Sequence, residues 1–192
     1  MKHLIITGFD PFGGETVNPS WEAVSRLPDI IGDYRLTKLQ IPTVFGTAAD
    51  TVLAAAAEDA PDVILCVGQA GGRDAVTPER IAVNIRDARI ADNAGNQPDG
   101  IPIIENSPAA YLSTLPVKDM AKAIRDAQIP ASVSNSAGTF VCNDTLYTLL
   151  HHFHGSATRV GFLHVPNLPD QGTPSLPLDA VVTALTAAIS AL

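Results

Sequence analysis

The sequence predicts an α/β protein, a three-layer α/β/α sandwich on a largely parallel, twisted mixed sheet, and three observations lead there. Short continuous apolar runs at His3-Leu4-Ile5-Ile6-Thr7-Gly8, Asp62-Val63-Ile64-Leu65-Cys66-Val67 and Arg159-Val160-Gly161-Phe162-Leu163-His164-Val165 have the character of strands buried on both faces. Amphipathic helical spacing recurs between them, so strands and helices alternate along the chain, the pattern of a parallel sheet covered by helices. The chain has 192 residues, 46% hydrophobic and 17% charged; that supports one well-buried core and is short for two, which predicts a single domain over residues 1–192.

The first strand runs into Phe9-Asp10-Pro11-Phe12-Gly13-Gly14, a turn-rich loop at a strand's C-terminal end. Open α/β sheets bind ligands at such ends, so its two aromatics are candidates for a pocket wall. The loop has neither a Gly-x-Gly-x-x-Gly nor a Gly-x-x-x-x-Gly-Lys pattern, so nothing marks it as a phosphate cradle. Asn18-Pro19-Ser20 opens a helix with Trp21, Val24 and Leu27 on one face. Leu36 to Ile41 alternates as a strand, and from Thr43 the residues Phe45, Ala48, Ala49, Val52, Leu53 and Ala56 predict a helix that Pro61 ends. The second apolar strand leads into Gly68-Gln69-Ala70-Gly71-Gly72-Arg73, a loop opening on the same side of the sheet as the first.

Glu79 to Ile85 alternates like a strand with one polar face, and residues 86–108, rich in Asp, Asn, Gly and Pro, predict a long irregular excursion of the kind that serves a site or a subunit contact. Val117, Met120, Ala121, Ile124 and Ala127 mark a helix, and Ala131 to Ser134 reads as a strand behind Pro130. A further helix follows through Val141, Thr145, Leu146, Leu149, Leu150 and Phe153. After the strand that ends at His164, a closing helix runs through Leu178, Val181, Val182, Leu185, Ile189 and Leu192.

A formal net charge of -8, with no run of Lys or Arg, argues against nucleic acid or an anionic membrane as partner. No apolar run approaches a membrane span, and the N-terminus lacks a signal-peptide pattern. Cys66 lies inside a buried strand with no reason to reach Cys142, so a reduced, cytoplasmic protein is expected.

The chemistry centres on Cys142, which the periodicity places in the first turn of its helix. First-turn N–H groups lack intrahelical partners and the helix dipole is positive there, so the thiolate is favoured; the alternative is a small buried hydrophobe. A nucleophilic cysteine needs a base. Of the five histidines, His3 belongs to the first strand, and His151, His152 and His154 lie at the far end of the helix that Cys142 begins, where a solvated helix end accounts for them. Ten helical residues separate Cys142 from His152 by roughly 15 Å. His164 remains, at the end of the strand that follows the Cys142 helix; a strand-end polar residue is the alternative reading. Spacing does not choose the third member among 20 acids, with Asp170 near His164 in sequence and Glu79 at the start of a strand.

Five blocks in order then resemble the pyroglutamyl peptidase (pyrrolidone carboxyl peptidase) family of cysteine peptidases: Gly8 to Gly14, Gly68 to Arg73, Glu79 to Asn84, Ser136 to Asn143, and Gly161 to Pro166. The resemblance implies one catalytic domain that removes an N-terminal pyroglutamyl residue, with Cys142 as nucleophile, His164 as general base and Glu79 as orienting acid. It further implies that Phe9, Phe12, Phe140 and Val141 line the ring pocket, that Asn18 and Gln69 hold the lactam, and that Arg89 lies near the nucleophile. Neither cofactor nor metal is expected; the partners are pyroglutamyl peptides and further copies of the chain, as a dimer or homotetramer. Asn167-Leu168 departs from the family pattern, where an aromatic residue is expected in many relatives. The competing readings are a cysteine amidase acting on another small cyclic acyl group, and a non-catalytic binder of pyroglutamyl peptides.

Overall fold

A six-stranded sheet in the order β2-β3-β1-β4-β8-β5 forms the middle layer of the computed structural model, which describes residues 1–192. Its strands are β1 (Lys2–Phe9), β2 (Ile30–Ile31), β3 (Tyr34–Ile41), β4 (Val63–Gln69), β5 (Thr77–Glu79) and β8 (Arg159–Val165). The central four, β3, β1, β4 and β8, are parallel, and the two edges β2 and β5 are antiparallel. The sheet is therefore mixed and mostly parallel, as the continuous apolar runs predict.

Strand alternation divides the core. Leu4, Ile6, Val63, Leu65, Val67, Leu163 and Val165 face one side and pack on α1 (Pro19–Ser25), α3 (Val117–Asp126) and α5 (Leu178–Ser190). Ile5, Phe9, Ile64, Cys66, Val160 and Phe162 face the other side and pack on α2 (Thr47–Glu58) and α4 (Val141–His152). A short second sheet pairs β6 (Ile81–Val83) with β7 (Ala110–Leu112).

Three expectations are corrected. The strand predicted over Glu79 to Ile85 is two strands in two sheets: β5 pairs with β8, and after Arg80 the chain turns so that β6 pairs with β7. Ala131 to Ser134 is not a strand but makes two isolated bridges, Val76 with Ala131 and Glu79 with Ser134. Pro78 and Pro130 have no N–H to give, which leaves the ladder between the two segments incomplete. The helix predicted from Thr43 begins at Thr47, where Gly46 at its N-cap has φ +73°, and it stops at Glu58, before Pro61.

The excursion over 86–108 contains no helix or extended strand, yet buried polar side chains tie it down. Asp92 accepts from the backbone of Phe45, Ala94 and Asn96, and Asp144 accepts from Gly46 N at 2.7 Å and Arg86 Nε at 2.6 Å. Asn143 closes a two-way bond with the backbone of Val83. Both of these last anchors belong to the first turn of α4, so the turn that carries Cys142 is clamped from its polar side.

At the end of β1 the clamp is steric. Asn18 caps α1 by accepting from Ser20 N, and Ser20 Oγ accepts in turn from Phe9 N at 2.9 Å, drawing the helix start against the strand. A Cβ added at Gly8 would stand 2.6 Å from the backbone Cα and N of Trp21. Gly8→Ala is therefore expected to cost about 1–3 kcal/mol, which at roughly 2–4 °C per kcal/mol for a chain of this size is read as a lower thermal midpoint; an unchanged midpoint would show that α1 moves away freely.

Candidate active site

Parallel strands and one helix start converge on a cavity of about 190 Å³ lined by Phe9, Phe12, Asn18, Gln69, Phe140, Cys142 and His164, with Thr43, Ala70, Arg73, Ala137 and Gly138 completing the wall. The two strand-end segments, near Phe9 and near Gln69, open into it together, although Gly68 and Gln69 still belong to β4 and not to a loop. Phe12 and Phe140 stand 6.1 Å apart between ring centroids, and Phe45 meets Phe140 edge-on at 5.3 Å from behind.

The register explains how the polar groups meet. Gly68 on β4, His164 on β8 and Thr77 on β5 lie in one row across the sheet, and Glu79 is two residues beyond Thr77, so its side chain emerges on the same face. That face looks toward α4. Glu79 is fully buried, and its Oε1 lies 2.8 Å from His164 Nδ1, fixing the ring and leaving Nε2 for the cavity. On the other side of His164 the missing side chain of Gly68 makes room for sulfur: a Cβ there would sit 2.9 Å from Cys142 Sγ and 2.8 Å from Phe162 Cζ. His164 also packs on Phe162 at 4.7 Å between centroids.

The same Glu79 oxygen accepts from Arg73 Nη1 at 2.6 Å. Arg73 is further held by Thr77 Oγ1 and by the carbonyl of Ser136, 3.0 Å from Nη2. Sequence reasoning assigned Arg73 no role, although it sits in a block singled out there; a partner six residues away that emerges only through a sheet edge has no periodic signal.

Burial works against charge throughout the site. It pushes the Cys142 thiol up to about 12, and the Glu79 carboxylate and Cys66 add to this; Arg73 and the thiol's own backbone N–H pull the other way without prevailing. Desolvation thus opposes the preference for a thiolate that the helix start confers. Burial also holds His164 below the usual imidazole value, assisted by Arg73 and opposed by Glu79. For Glu79 burial raises, but the bonds from His164 and Arg73 win and keep the carboxyl below its ordinary value.

The remaining sequence-predicted residues are distributed as follows. Asn18 is buried, with Oδ1 committed to Ser20 and Nδ2 donating to Asp10 O at 3.0 Å, which leaves one amide N–H. Gln69 Nε2 donates to Asn167 Oδ1 at 2.8 Å, and its Oε1 is buried without a partner. The divergent Asn167 therefore orients a pocket residue. Val141 is wholly buried behind Cys142 and lines no part of the cavity. Arg89 is not in the cavity with Cys142; it lines an adjoining one of about 440 Å³ that shares Phe12, Gly138 and Phe140. Asp170, the other acid near His164 in sequence, is exposed on a 3-10 turn. His151 and His154 contact Tyr111 at the far end of α4, with His151 Nδ1 2.9 Å from the Tyr111 hydroxyl, while His152 and His154 are exposed to solvent as a solvated helix end predicts. No group of three or more His, Cys, Asp or Glu is arranged to hold a metal ion.

Comparison with known proteins gives one consistent result. The family model described as pyroglutamyl peptidase matches residues 2–192. The pyrrolidone-carboxylate peptidase of Escherichia fergusonii is 53% identical over 200 residues, covering 100% of this chain and 94% of that protein. That of Levilactobacillus brevis is 54% identical over 196 residues, covering 98% and 96%. Among solved structures, pyroglutamyl peptidase I from Bacillus amyloliquefaciens superposes with a TM-score of 0.96 at 47% identity, covering 100% of this chain and 96% of that one. The pyrrolidone carboxyl peptidase from Thermococcus litoralis gives 0.95 at 37%, with 100% and 93% covered.

The raised thiol value sets a test that needs no substrate. Iodoacetamide should alkylate resting Cys142 at a rate that climbs about tenfold per pH unit between about pH 6 and about pH 9, with peptide mapping to exclude Cys66; a plateau reached by neutral pH would reveal a preformed thiolate.

Proposed function

The chain belongs to the pyroglutamyl peptidase family and is a cysteine peptidase, and from that premise we propose that its 192 residues act as one catalytic domain that releases N-terminal pyroglutamate through Cys142, His164 and Glu79. The observation that carries the proposal is the row across the sheet: a buried carboxylate on the imidazole, and a glycine opening beside the thiol, all facing one small aromatic cavity.

The pyroglutamyl ring is a neutral five-membered lactam. It needs flat apolar walls and a matched donor and acceptor, and no carboxylate for an ammonium group. Phe9, Phe12 and Phe140 supply the walls. The free amide N–H of Asn18 would donate to the ring carbonyl, and the unpartnered Oε1 of Gln69 would accept from the ring N–H. Val141 would contribute through its first-turn backbone, and Arg89, beyond the Phe12–Phe140 wall, would meet the peptide that extends past the ring. A prolyl group offers no ring carbonyl, so it leaves the Asn18 N–H unsatisfied, and it brings a charged amine into an apolar cavity.

In the proposed reaction substrate closes the cavity over Cys142, and His164 Nε2 takes the thiol proton as Sγ bonds to the acyl carbon. The imidazolium is stabilised by Glu79, and backbone N–H groups at the start of α4 receive the oxyanion. Collapse breaks the C–N bond as His164 returns the proton to the leaving amine. A water then gives a proton to His164 and attacks the thioester, and pyroglutamate leaves as Sγ is reprotonated.

Pyroglutamyl peptides are thus the proposed substrates. No helix is long and apolar enough to cross a membrane, and both cysteines are free; a cytoplasmic location and a homo-oligomer, dimer or tetramer, complete the proposal, with Ile90 and Ile101 as exposed apolar surface on the excursion.

The test is turnover of a pyroglutamyl amide with a fluorescent leaving group beside its prolyl analogue, for the reduced wild type and Cys142→Ala. Cleavage of the first compound alone, abolished by the substitution, is expected. Saturable binding without product would favour a pyroglutamyl-peptide binder, and cleavage of other small cyclic acyl amides in its place would favour the broader amidase.

A further inference from the structure

Beyond the three residues of the proposed triad, a fourth group touches its acid. Glu79 Oε1 accepts two bonds, from His164 Nδ1 at 2.8 Å and from Arg73 Nη1 at 2.6 Å, while its other oxygen, buried, has no hydrogen-bond partner. Both donors compete for one oxygen. Arg73 is not a surface ion pair that happens to reach inward: it is about 30% exposed, its Nη1 is shared with Thr77 Oγ1 and its Nη2 is fixed on the Ser136 carbonyl, so the guanidinium is held in place from two strand-edge segments. It also lines the cavity with Cys142 and His164.

We propose that Arg73 is a positioning residue that sets the proton affinity of His164 by claiming part of the charge on Glu79. The inference rests on the assignment of His164 as the general base, although its first readout does not.

A carboxylate that serves only the imidazole stabilises the imidazolium fully, and a base that is already protonated at working pH cannot take the thiol proton. A guanidinium on the same oxygen withdraws some of that stabilisation and adds direct repulsion toward a second cation nearby. It also guarantees that the carboxyl stays ionised, because arginine does not lose its own proton. The groups facing His164 are Glu79 from β5, Arg73 from the segment before it, Cys142 from α4 and, in the floor of the sheet, Phe162; Cys66 acts only through Cys142. Of these Arg73 is the one cation. The direction follows: with Arg73 present the imidazole is neutral to lower pH, and without it the protonated form persists to higher pH. Burial, Glu79 and Arg73 act on His164 in those senses.

The test compares wild type with two neutral variants, Arg73→Gln and Arg73→Met, and with the charge-retaining Arg73→Lys; having two neutral variants guards against one failing to fold. The His164 ring is titrated by NMR in the substrate-free protein, its signal assigned by loss in His164→Gln, and the acid limb of kcat/KM is recorded on a pyroglutamyl amide. The neutral variants should move both the ring titration and the acid limb upward by roughly one pH unit, and Arg73→Lys should keep both near their wild-type positions. A titration and an acid limb that stay in place in folded neutral variants, with activity lower by the same factor at every pH, would make Arg73 a structural brace and overturn the proposal. Because the titration requires no turnover, a shift seen there stands even if the pyroglutamyl amide is not a substrate.

Discussion

A fully buried carboxylate at a sheet edge is the constraint on which the rest of the site depends. Glu79 is taken out of water on a three-residue strand, and such a charge is tolerated only when it is paired and hydrogen-bonded. The pairing with His164 and Arg73 meets that requirement and aims the imidazole at the same time. The antiparallel pairing of β5 with β8 brings Thr77 opposite His164 and sets Glu79 diagonally beside it on the face that looks toward α4. Removing Arg73 would leave the buried carboxylate with His164 as its one hydrogen-bond partner, so the edge strand, the imidazole and the arginine form one unit.

The thiol is placed by a separate set of forces. Asn143 and Asp144, the two residues after Cys142, turn inward to hold β6, the excursion and the start of α2. The α4 start is therefore fixed by polar bonds on one side and by Phe45, Phe140 and Val141 on the other. Tight packing has an electrostatic consequence. A desolvated sulfur resists ionisation, so under the proposed mechanism reactivity would depend on substrate completing the site and on His164 taking the proton as the new bond forms. Gly68, with no side chain of its own, stands beside the sulfur on the neighbouring strand.

Much of this was legible in the sequence because it rests on periodicity. The central strands, the five helices and the position of Cys142 in a first turn follow from apolar spacing, which local packing obeys. What escaped was set by distant partners. The break at Arg80 divides one alternating run between two sheets, and no spacing distinguishes that from a continuous strand. Ala131 to Ser134 carries strand-like residues but faces Pro78, which has no N–H to give to the ladder. The choice of Glu79 over Asp170 was carried by family resemblance, while in the fold one is buried on His164 and the other is exposed. Arg73 and the Gln69–Asn167 contact, between residues 98 apart, have no signature in a single chain at all.

The central claim is that Cys142 forms a covalent bond to a pyroglutamyl group. Rapid acid quench of the protein with a pyroglutamyl ester, followed by intact-mass and peptide analysis, tests it most directly. A mass increase of one pyroglutamyl group on the peptide containing Cys142, released by hydroxylamine and absent in His164→Gln, is the result this structure predicts; product formation with the unmodified cysteine at every time point, at quench times shorter than one turnover, would contradict it.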